Sequence, residues 1–200
     1  MGPIRTGNEK TTFPLYPRSP VTAKLSFVPA PRTLDAPDLH AAIERIATAI
    51  EARHGAPPPL YLAGVSNGGL ELAARLAARL GVPAAQLNPA FHRDDIGRNP
   101  IPKETQPSRI PFDVTGTTVV IVDDVLHSGR TLKAALDELF DWGRPAAVEL
   151  AVLIDRGGRR LPFAADYCGL TVDTRATEKV EVTLNPDDPA QDRVTITAKS

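Results

Sequence analysis

Short apolar segments alternate with helical segments through the middle of this 200-residue chain. The segments "LYLAGV", "TTVVIVD" and "AAVELAVLI" are nearly continuous in their apolar character, which is typical of strands buried on both faces of a parallel sheet. Helical patterns follow the first two of these strands. This alternation predicts an α/β fold with a right-handed parallel sheet and helices on both faces. Ligands bind beyond the carboxyl ends of the strands in such sheets.

The helices are marked by apolar residues at spacings of three and four. The expected helices end at glycines and run from Asp35 to Gly55, from Leu70 to Gly81 after the turn "SNGG", and through "TLKAALDELFDWG" to Gly143. Near the C-terminus, "KVEVTL" and "RVTITA" alternate polar and apolar residues with a period of two. This alternation predicts a terminal antiparallel hairpin.

Two proline-rich parts of the chain have no regular pattern. Residues 1–34 are interpreted as a leader or arm outside the domain, which we place at residues 35–200. Residues 98–112 hold four prolines among polar residues, which predicts a long mobile loop, with a passive surface loop as the alternative. The segment "AAQLNPAFHRDDIG" is interpreted as a strand that runs into a polar segment.

Composition excludes several classes of protein. The formal net charge is −1, so the chain as a whole does not attract nucleic acid, although a local basic face stays open. Cys168 is the single cysteine, which excludes an internal disulfide and a cysteine-rich metal cluster and indicates a reducing compartment. We find no secretory h-region and no apolar segment long enough to span a membrane, so we expect a cytoplasmic protein.

The segment "VVIVDDVLHSGRT" places two carboxylates at the end of a hydrophobic run. Burying an unpaired charge is unfavourable, so we expect Asp123 and Asp124 to lie just beyond the strand. Gly129 permits a tight turn, and the amides at the start of the next helix form an anion site that suits a phosphate monoester. The acids repel that phosphate, so they are expected to bind ribose hydroxyls or a metal ion. A helix cap or solvated turn is the alternative for an isolated Asp pair.

The same segment resembles the phosphoribosyl-pyrophosphate (PRPP) signature of the type I phosphoribosyltransferases. The strings "FHRDD", "DELFDWGRPAAVELAVLIDRGGRRLPFAADYCG" and "TEKVEV" are similar, in order and spacing, to the pyrimidine-operon attenuation regulators that are also uracil phosphoribosyltransferases. The resemblance covers the chain from Leu39 to the C-terminus. It implies a type I phosphoribosyltransferase fold, with a central parallel sheet, flanking helices and a small hood. It also implies conversion of uracil and PRPP to UMP and pyrophosphate, with magnesium as cofactor.

Carried over position by position, the resemblance implies a set of site residues. The catalytic residues are Asp123, Asp124 and Arg93, and the two aspartates also meet magnesium indirectly, through PRPP. The phosphate-binding residues are Val125, Leu126, His127, Ser128, Gly129, Arg130 and Thr131. The pyrophosphate loop is Ser66, Asn67, Gly68 and Gly69. The base is bound by Ile154, Asp155 and Arg156, and RNA by Arg45, Arg159 and Arg160. Pyrimidine-gene mRNA and further copies of the chain are the implied partners.

The chain departs from the family pattern at several positions. The pyrophosphate loop of the family usually carries a Lys or Arg, whereas "SNGG" has no cation, so a non-catalytic PRPP or nucleotide sensor is an alternative function. An enzyme that uses a purine base is a second alternative. His92 and His127 stand where tyrosine-type residues are usual. One of them is interpreted either as an acid, a base or a hydrogen-bond donor to phosphate, or as a neutral ring that fills an aromatic position. On the RNA face, Glu44 and Gly158 replace residues that would favour phosphate contact.

Overall fold

The computed structural model describes residues 33–55, 60–92 and 107–198, although the side chains of Ser66, Asn67 and Phe91 lie outside the description. Two short 3-10 turns, at Pro89–His92 and Pro189–Gln191, join the main elements. In chain order the main elements are β1 (Thr33–Asp35), α1 (Ala36–His54), β2 (Leu60–Val65), α2 (Ser66–Leu80), β3 (Ala84–Leu87), β4 (Thr118–Leu126), α3 (Arg130–Trp142), β5 (Ala147–Asp155), β6 (Tyr167–Thr171), β7 (Glu178–Thr183) and β8 (Arg193–Ala198).

A five-stranded parallel sheet, in the order β3-β2-β4-β5-β6, forms the centre of the molecule. Its inner strands are almost entirely buried, because their continuous apolar runs meet a hydrophobic cluster on each face. This arrangement confirms the predicted α/β class. The helix-spaced residues Leu39, Ile46 and Ile50 of α1 are likewise fully buried. No helix among the described residues is long and apolar enough to cross a membrane.

A second, antiparallel sheet in the order β1-β8-β7 forms a hood over the carboxyl ends of the parallel strands. The predicted hairpin is confirmed, with Val182 opposite Val194. Strand β1 was not predicted, and it places Thr33 and Leu34, which we had assigned to the N-terminal arm, in the hood sheet. The rest of that arm, residues 1–32, lies outside the described residues.

The proline-rich segment was predicted to be mobile as far as Phe112, which is wrong for its described end. Arg109 and Gln86 form an antiparallel bridge, with N–O distances of 2.8 and 2.9 Å. Ile110 is buried, and the ring of Phe112 stacks on Tyr61 with 3.8 Å between centroids. Ile110 and Phe112 therefore hold this end against β2 and β3. Residues 98–106 of the segment lie outside the described part.

Asp192 connects the hood to helices α1 and α2. This residue directly precedes β8, and its side chain is completely buried. Its carboxylate accepts hydrogen bonds from both terminal nitrogens of Arg75 on α2, from the Asn185 amide at 2.8 Å, and contacts His40 Nε2 on α1 at 3.1 Å. Burial alone would raise the pKa of Asp192, but the hydrogen bonds from Arg75 and Asn185 bring it below its ordinary value. The ionised form therefore stabilises the folded state.

We expect Asp192→Asn to lower the free energy of unfolding by about 2 kcal/mol at pH 7, because Arg75 loses its buried partner. A carboxyl with a lowered pKa contributes stability above its unfolded pKa of about 3.9 and loses it as the pH falls through the folded value. The difference between wild type and variant should therefore shrink between pH 5 and about pH 3. Urea unfolding at each pH measures it, with the exposed Asp187→Asn as control. A difference that is independent of pH would contradict this assignment.

Candidate active site

The two adjacent aspartates lie inside β4 and not beyond it, which corrects the sequence-based expectation. The strand continues to Leu126, so Asp123 is buried with 8% of its surface exposed and Asp124 is partly buried. The Asp124 amide donates a hydrogen bond to Oδ1 of Asp123 at 3.0 Å. The expectation failed because it assumed that both carboxyls are ionised, and an uncharged carboxyl is far less costly to bury.

Protonation explains how this pair is tolerated. Burial, followed by the charge of Asp124, raises the pKa of Asp123 well above its ordinary value. Burial also raises the pKa of Asp124, and a hydrogen bond from the Asp123 side chain offsets only part of this rise, so the pKa stays above its ordinary value. Of the two carboxyls, Asp123 is therefore the one that keeps its proton to the higher pH.

The segment "SNGG" forms the first turn of α2, whereas we had predicted a turn before the helix. Its glycines allow the helix to pack directly against the aspartate pair. A Cβ at Gly69 would lie 2.6 Å from the carbonyl oxygen of Val122, and one at Gly68 would overlap Oδ2 of Asp124 and lie 2.7 Å from its Cγ. The free amides of the first helical turn therefore stand beside the carboxylates, where they can bind an anion.

The phosphate loop, residues 125–131, leads from β4 into α3. Gly129 has φ +88°, a left-handed conformation that favours glycine, and α3 begins at the next residue. The Arg130 amide donates to Oγ of Ser128 at 3.3 Å. His127, Arg130 and Thr131 are exposed around the helix start. This is the strand-to-helix geometry that the sequence predicted, and a helix start of this kind can bind an anion.

A cleft of ≈ 540 Å³ separates the aspartate edge of the sheet from the hood. Asp124 and Val125 line one side of it. The opposite side carries polar residues of the hairpin, namely Glu181, Thr183, Arg193 and Thr195. Sequence reasoning had not assigned these residues to the site, although the period-two alternation of β7 and β8 already places them on one face of the hairpin.

The three residues predicted to bind the base differ in the chemical groups that a ligand could reach. The Ile154 side chain is fully buried in the core, so only its main chain is available near the strand end. Asp155 accepts from the Gly157 amide at 2.9 Å and pairs with Arg159. Arg156 is buried and donates to the Glu178 carbonyl at 2.8 Å and to Oγ1 of Thr174 at 3.1 Å. Its guanidinium therefore ties the hood to β5.

The three arginines predicted to bind RNA differ in what their guanidinium groups contact. Arg45 donates to the Gly169 carbonyl at 2.9 Å, and Arg159 turns inward onto the phosphate loop. Arg160 is exposed. Glu44, beside Arg45, forms an ion pair with Arg79 at 3.2 Å, so an acidic residue stands on the same face.

His92 is the last described residue before a part of the chain that lies outside the described residues. Arg93, the predicted catalytic arginine, belongs to that part. Nε2 of His92 lies 3.2 Å from carboxylate oxygens of both Glu138 and Asp141 on α3. This histidine therefore fixes the 3-10 turn to α3.

The fold and this site define a phosphoribosyltransferase. A family model described as "Phosphoribosyl transferase domain" matches residues 33–184, and the chain belongs to this family. Among curated proteins, it is 46% identical over 170 residues to the bifunctional protein PyrR of Roseiflexus sp. (strain RS-1), an alignment that covers 82% of this chain and 92% of the relative. The bifunctional protein PyrR of Ralstonia nicotianae is 49% identical over 120 residues, covering 60% and 69% of the two chains. The family recognised from the sequence is therefore confirmed.

Solved structures confirm the type I fold. A hypoxanthine-guanine phosphoribosyltransferase (hpt-2) from Bacillus anthracis superposes with a TM-score of 0.58 at 22% identity, covering 72% of this chain and 85% of that chain. A purine phosphoribosyltransferase from Pyrococcus horikoshii superposes with a TM-score of 0.52 at 23% identity, with coverages of 70% and 85%. At this level of identity, the likeness concerns the fold alone.

Proposed function

We propose that this protein transfers a phosphoribosyl group from PRPP to uracil, releasing pyrophosphate and forming UMP. The observation that carries the proposal is the convergence of three elements at one edge of the sheet: the aspartate pair of β4, the phosphate loop, and the first turn of α2. Their chemistry matches the three parts of PRPP, which are the ribose hydroxyls, the 5-phosphate and the diphosphate. The names of the PyrR relatives favour a pyrimidine base over a purine.

The carboxylates hold the ribose while the loop amides of residues 128–131 hold the 5-phosphate. N1 of uracil then bonds to C1 of the sugar as the bond from C1 to the diphosphate breaks, through an oxocarbenium-like state, and the N1 proton passes to the departing diphosphate or to water. Holding both partners in line is the main contribution that such a site makes to the rate.

The positive charge missing from "SNGG" is supplied by Arg193 in our proposal. This residue lines the cleft opposite Asp124, and its guanidinium makes no hydrogen bond or ion pair with the residues that the structure describes. A charged hydrogen bond to a diphosphate oxygen is worth about 1.5 to 3 kcal/mol. Arg193 and the α2 amides together are therefore able to replace the cation that the family usually carries in its pyrophosphate loop.

Magnesium fits this site as a companion of the substrate. The described residues contain no cluster of three or more His, Cys, Asp or Glu side chains arranged to hold a metal, but the Asp123 and Asp124 carboxyls offer hard oxygen ligands. Magnesium typically binds through one or two carboxylates together with substrate phosphates. When bound, it would neutralise the diphosphate and assist its departure.

RNA binding, a homo-oligomer and a cytoplasmic location complete the proposal. RNA binding has less structural support, because Arg45 and Arg159 already donate to main-chain carbonyls. The exposed Phe140 and Trp142 on α3 support an interface with a second copy. The single cysteine supports a reducing compartment.

Calorimetric titration with PRPP and with UMP, each with magnesium chloride, tests the proposed function. Arg193→Gln should weaken PRPP binding about tenfold and UMP binding much less, because UMP carries no diphosphate. Arg175→Gln removes an exposed arginine outside the cleft and should change neither affinity. If the wild type binds neither PRPP nor UMP, the function proposed here is wrong. Equal losses for both ligands in Arg193→Gln would show that Arg193 does not serve the diphosphate.

Gly68→Ala should weaken PRPP binding about tenfold or more, because the added methyl group displaces the Asp124 carboxylate from its position. The helix itself tolerates alanine better than glycine. The same titration measures the effect. Gly116→Ala is the matched control, since Gly116 has φ +74° with open space around it and lies at the opposite end of β4. The control should lose about 1 kcal/mol of stability and keep its affinity. Unchanged affinity in Gly68→Ala would contradict the role of Asp124.

A further inference from the structure

The phosphate loop rests on the segment that follows β5, residues 157–163, which we call the support segment. Two consecutive amides of this segment, those of Arg160 and Leu161, donate to the Ser128 carbonyl at 3.0 Å each. The side chain of Phe163 fills the space beside Gly129, where an added Cβ would lie 2.8 Å from its ring. These contacts with the support segment hold the turn of the phosphate loop at Ser128 and Gly129 in place.

The first part of the loop is held by the same segment. A Cβ at Gly158 would lie 2.8 Å from Nε2 of His127, so only a glycine leaves room for that imidazole ring. Gly158 also has φ +73°, a conformation that favours glycine for a second reason. We had interpreted Gly158 as a lost RNA contact, but the structure gives it this packing role.

Arg159 is the centre of the support segment. Its Nη1 donates to the carbonyl oxygens of Leu126 at 3.2 Å and His127 at 2.9 Å. Its Nε donates to the Phe163 carbonyl at 3.0 Å, and its Nη2 pairs with the Asp155 carboxylate at 2.5 Å. One side chain therefore joins the end of β4, the end of β5 and the far end of the support segment.

The consequence for the loop follows from the direction of its peptide groups. Carbonyls at 126 and 127 that are bound from behind by a guanidinium cannot turn toward the ligand, where their partial negative charge would repel a phosphate. The start of the helix that follows can then face the anion. Arginine suits this task because its planar group presents several donors in fixed directions, which a lysine does not.

We propose that Arg159 is a positioning residue for the phosphate loop: it holds the loop in its anion-binding shape and links that shape to Asp155 at the end of β5. The inference rests on the proposed function, because it assigns the residue to the 5-phosphate subsite. It also replaces the RNA contact expected from the sequence, since the guanidinium donates to loop carbonyls and to Asp155.

Calorimetry with UMP and steady-state kinetics on Arg159→Gln, Arg159→Lys and Arg160→Gln test this role. Arg160→Gln removes an exposed charge at the next position and is the matched control. Arg159→Gln should weaken UMP binding about tenfold and raise the KM for PRPP similarly, with the KM for uracil and kcat changed less than about twofold. Arg159→Lys keeps the charge but cannot reach all the acceptors, so it should show a large part of the same loss. Thermal unfolding confirms that each variant is folded.

The outcomes separate this inference from the proposed function. If the wild type does not bind UMP, the proposed function fails. If the wild type binds UMP and Arg159→Lys, as a folded variant, binds it equally well, the positioning role is wrong. The same holds if Arg159→Gln and Arg160→Gln lose affinity equally, because charge alone would then explain the effect. Loss of binding to a pyrimidine-gene leader RNA with unchanged UMP affinity would restore the RNA role and overturn the inference.

Discussion

An Asp123→Asn variant should be more stable than the wild type in the absence of ligand and should bind PRPP about ten- to a hundredfold more weakly. An asparagine side chain can accept a hydrogen bond from the Asp124 amide through Oδ1. It can also donate a hydrogen bond to the Asp124 carboxylate, as the protonated aspartate does. It carries no charge that burial penalises. In the proposed function, the loss of binding follows because the ribose hydroxyls lose an acceptor that would become charged when substrate and magnesium bind.

The gain in stability should depend on pH. The pKa of Asp123 is raised by burial and by Asp124, so the folded state retains a proton that the unfolded chain releases. Wild-type stability therefore falls as the pH rises from about 4 through the raised pKa, whereas the variant lacks this loss. We expect a melting temperature about 3 °C higher for the variant at pH 8, and a smaller difference at pH 5.

Thermal unfolding at both pH values measures this difference, and the exposed Asp173→Asn serves as control. The control should melt within about 1 °C of the wild type, as most surface substitutions do. An Asp123→Asn variant that melts below the wild type at pH 8 would show that Asp123 is ionised in the free protein. The explanation that protonation allows the aspartate pair to be buried would then be wrong.

Glu149→Ala should lower the free energy of unfolding by about 3 kcal/mol, because it removes the centre of a buried polar cluster. The Glu149 carboxylate accepts from Tyr167 Oη at 2.6 Å and contacts His54 Nε2 at 2.8 Å and Arg53 Nη2 at 3.0 Å. These contacts join the C-terminal end of α1 to β5 and β6 at the edge of the sheet opposite the candidate site. Burial and the bond to Glu149 also raise the pKa of Tyr167.

Urea unfolding measures the loss, and UMP titration should show unchanged affinity because the cluster is remote from the site. Tyr167→Phe removes the hydroxyl that contacts Glu149 and His54, and it should lower the free energy of unfolding by about 1 kcal/mol. Glu51→Ala is the matched control, since its pair with Arg79 at 3.4 Å is exposed and therefore contributes little to stability. A loss below about 1 kcal/mol for Glu149→Ala would mean that the cluster is dispensable.

The sequence predicted the parallel sheet because its inner strands are long and continuously apolar. Such a run indicates a buried strand by its own residues, whatever strands pair with it. Strands β1 and β6 were missed for the opposite reason. β1 has three residues, and β6, "YCGLT", pairs on one side only among the described strands and carries a glycine. Short edge strands owe their conformation to the neighbour that pairs with them, which local sequence does not reveal.

The site shows a similar division. The turn at Gly129 and the helix start after it were readable from residue type, because a strand, a glycine and a helical pattern follow one another. The "SNGG" segment was misplaced because glycine usually signals a turn, whereas these glycines allow close contact with Asp124 and Val122. Arg159 was assigned to the surface because a sequence shows the charge of a residue and not the direction in which it points.

Phosphoribosyl transfer to uracil is best tested by pyrophosphate release from PRPP with magnesium, measured separately with uracil, hypoxanthine, guanine and adenine. We expect release with uracil alone, and Asp124→Asn should reduce it strongly while remaining folded. Turnover with a purine would assign the chain to the purine enzymes of the same fold. No turnover with any base, together with tight binding of PRPP or UMP, would contradict the catalytic function and identify a nucleotide sensor.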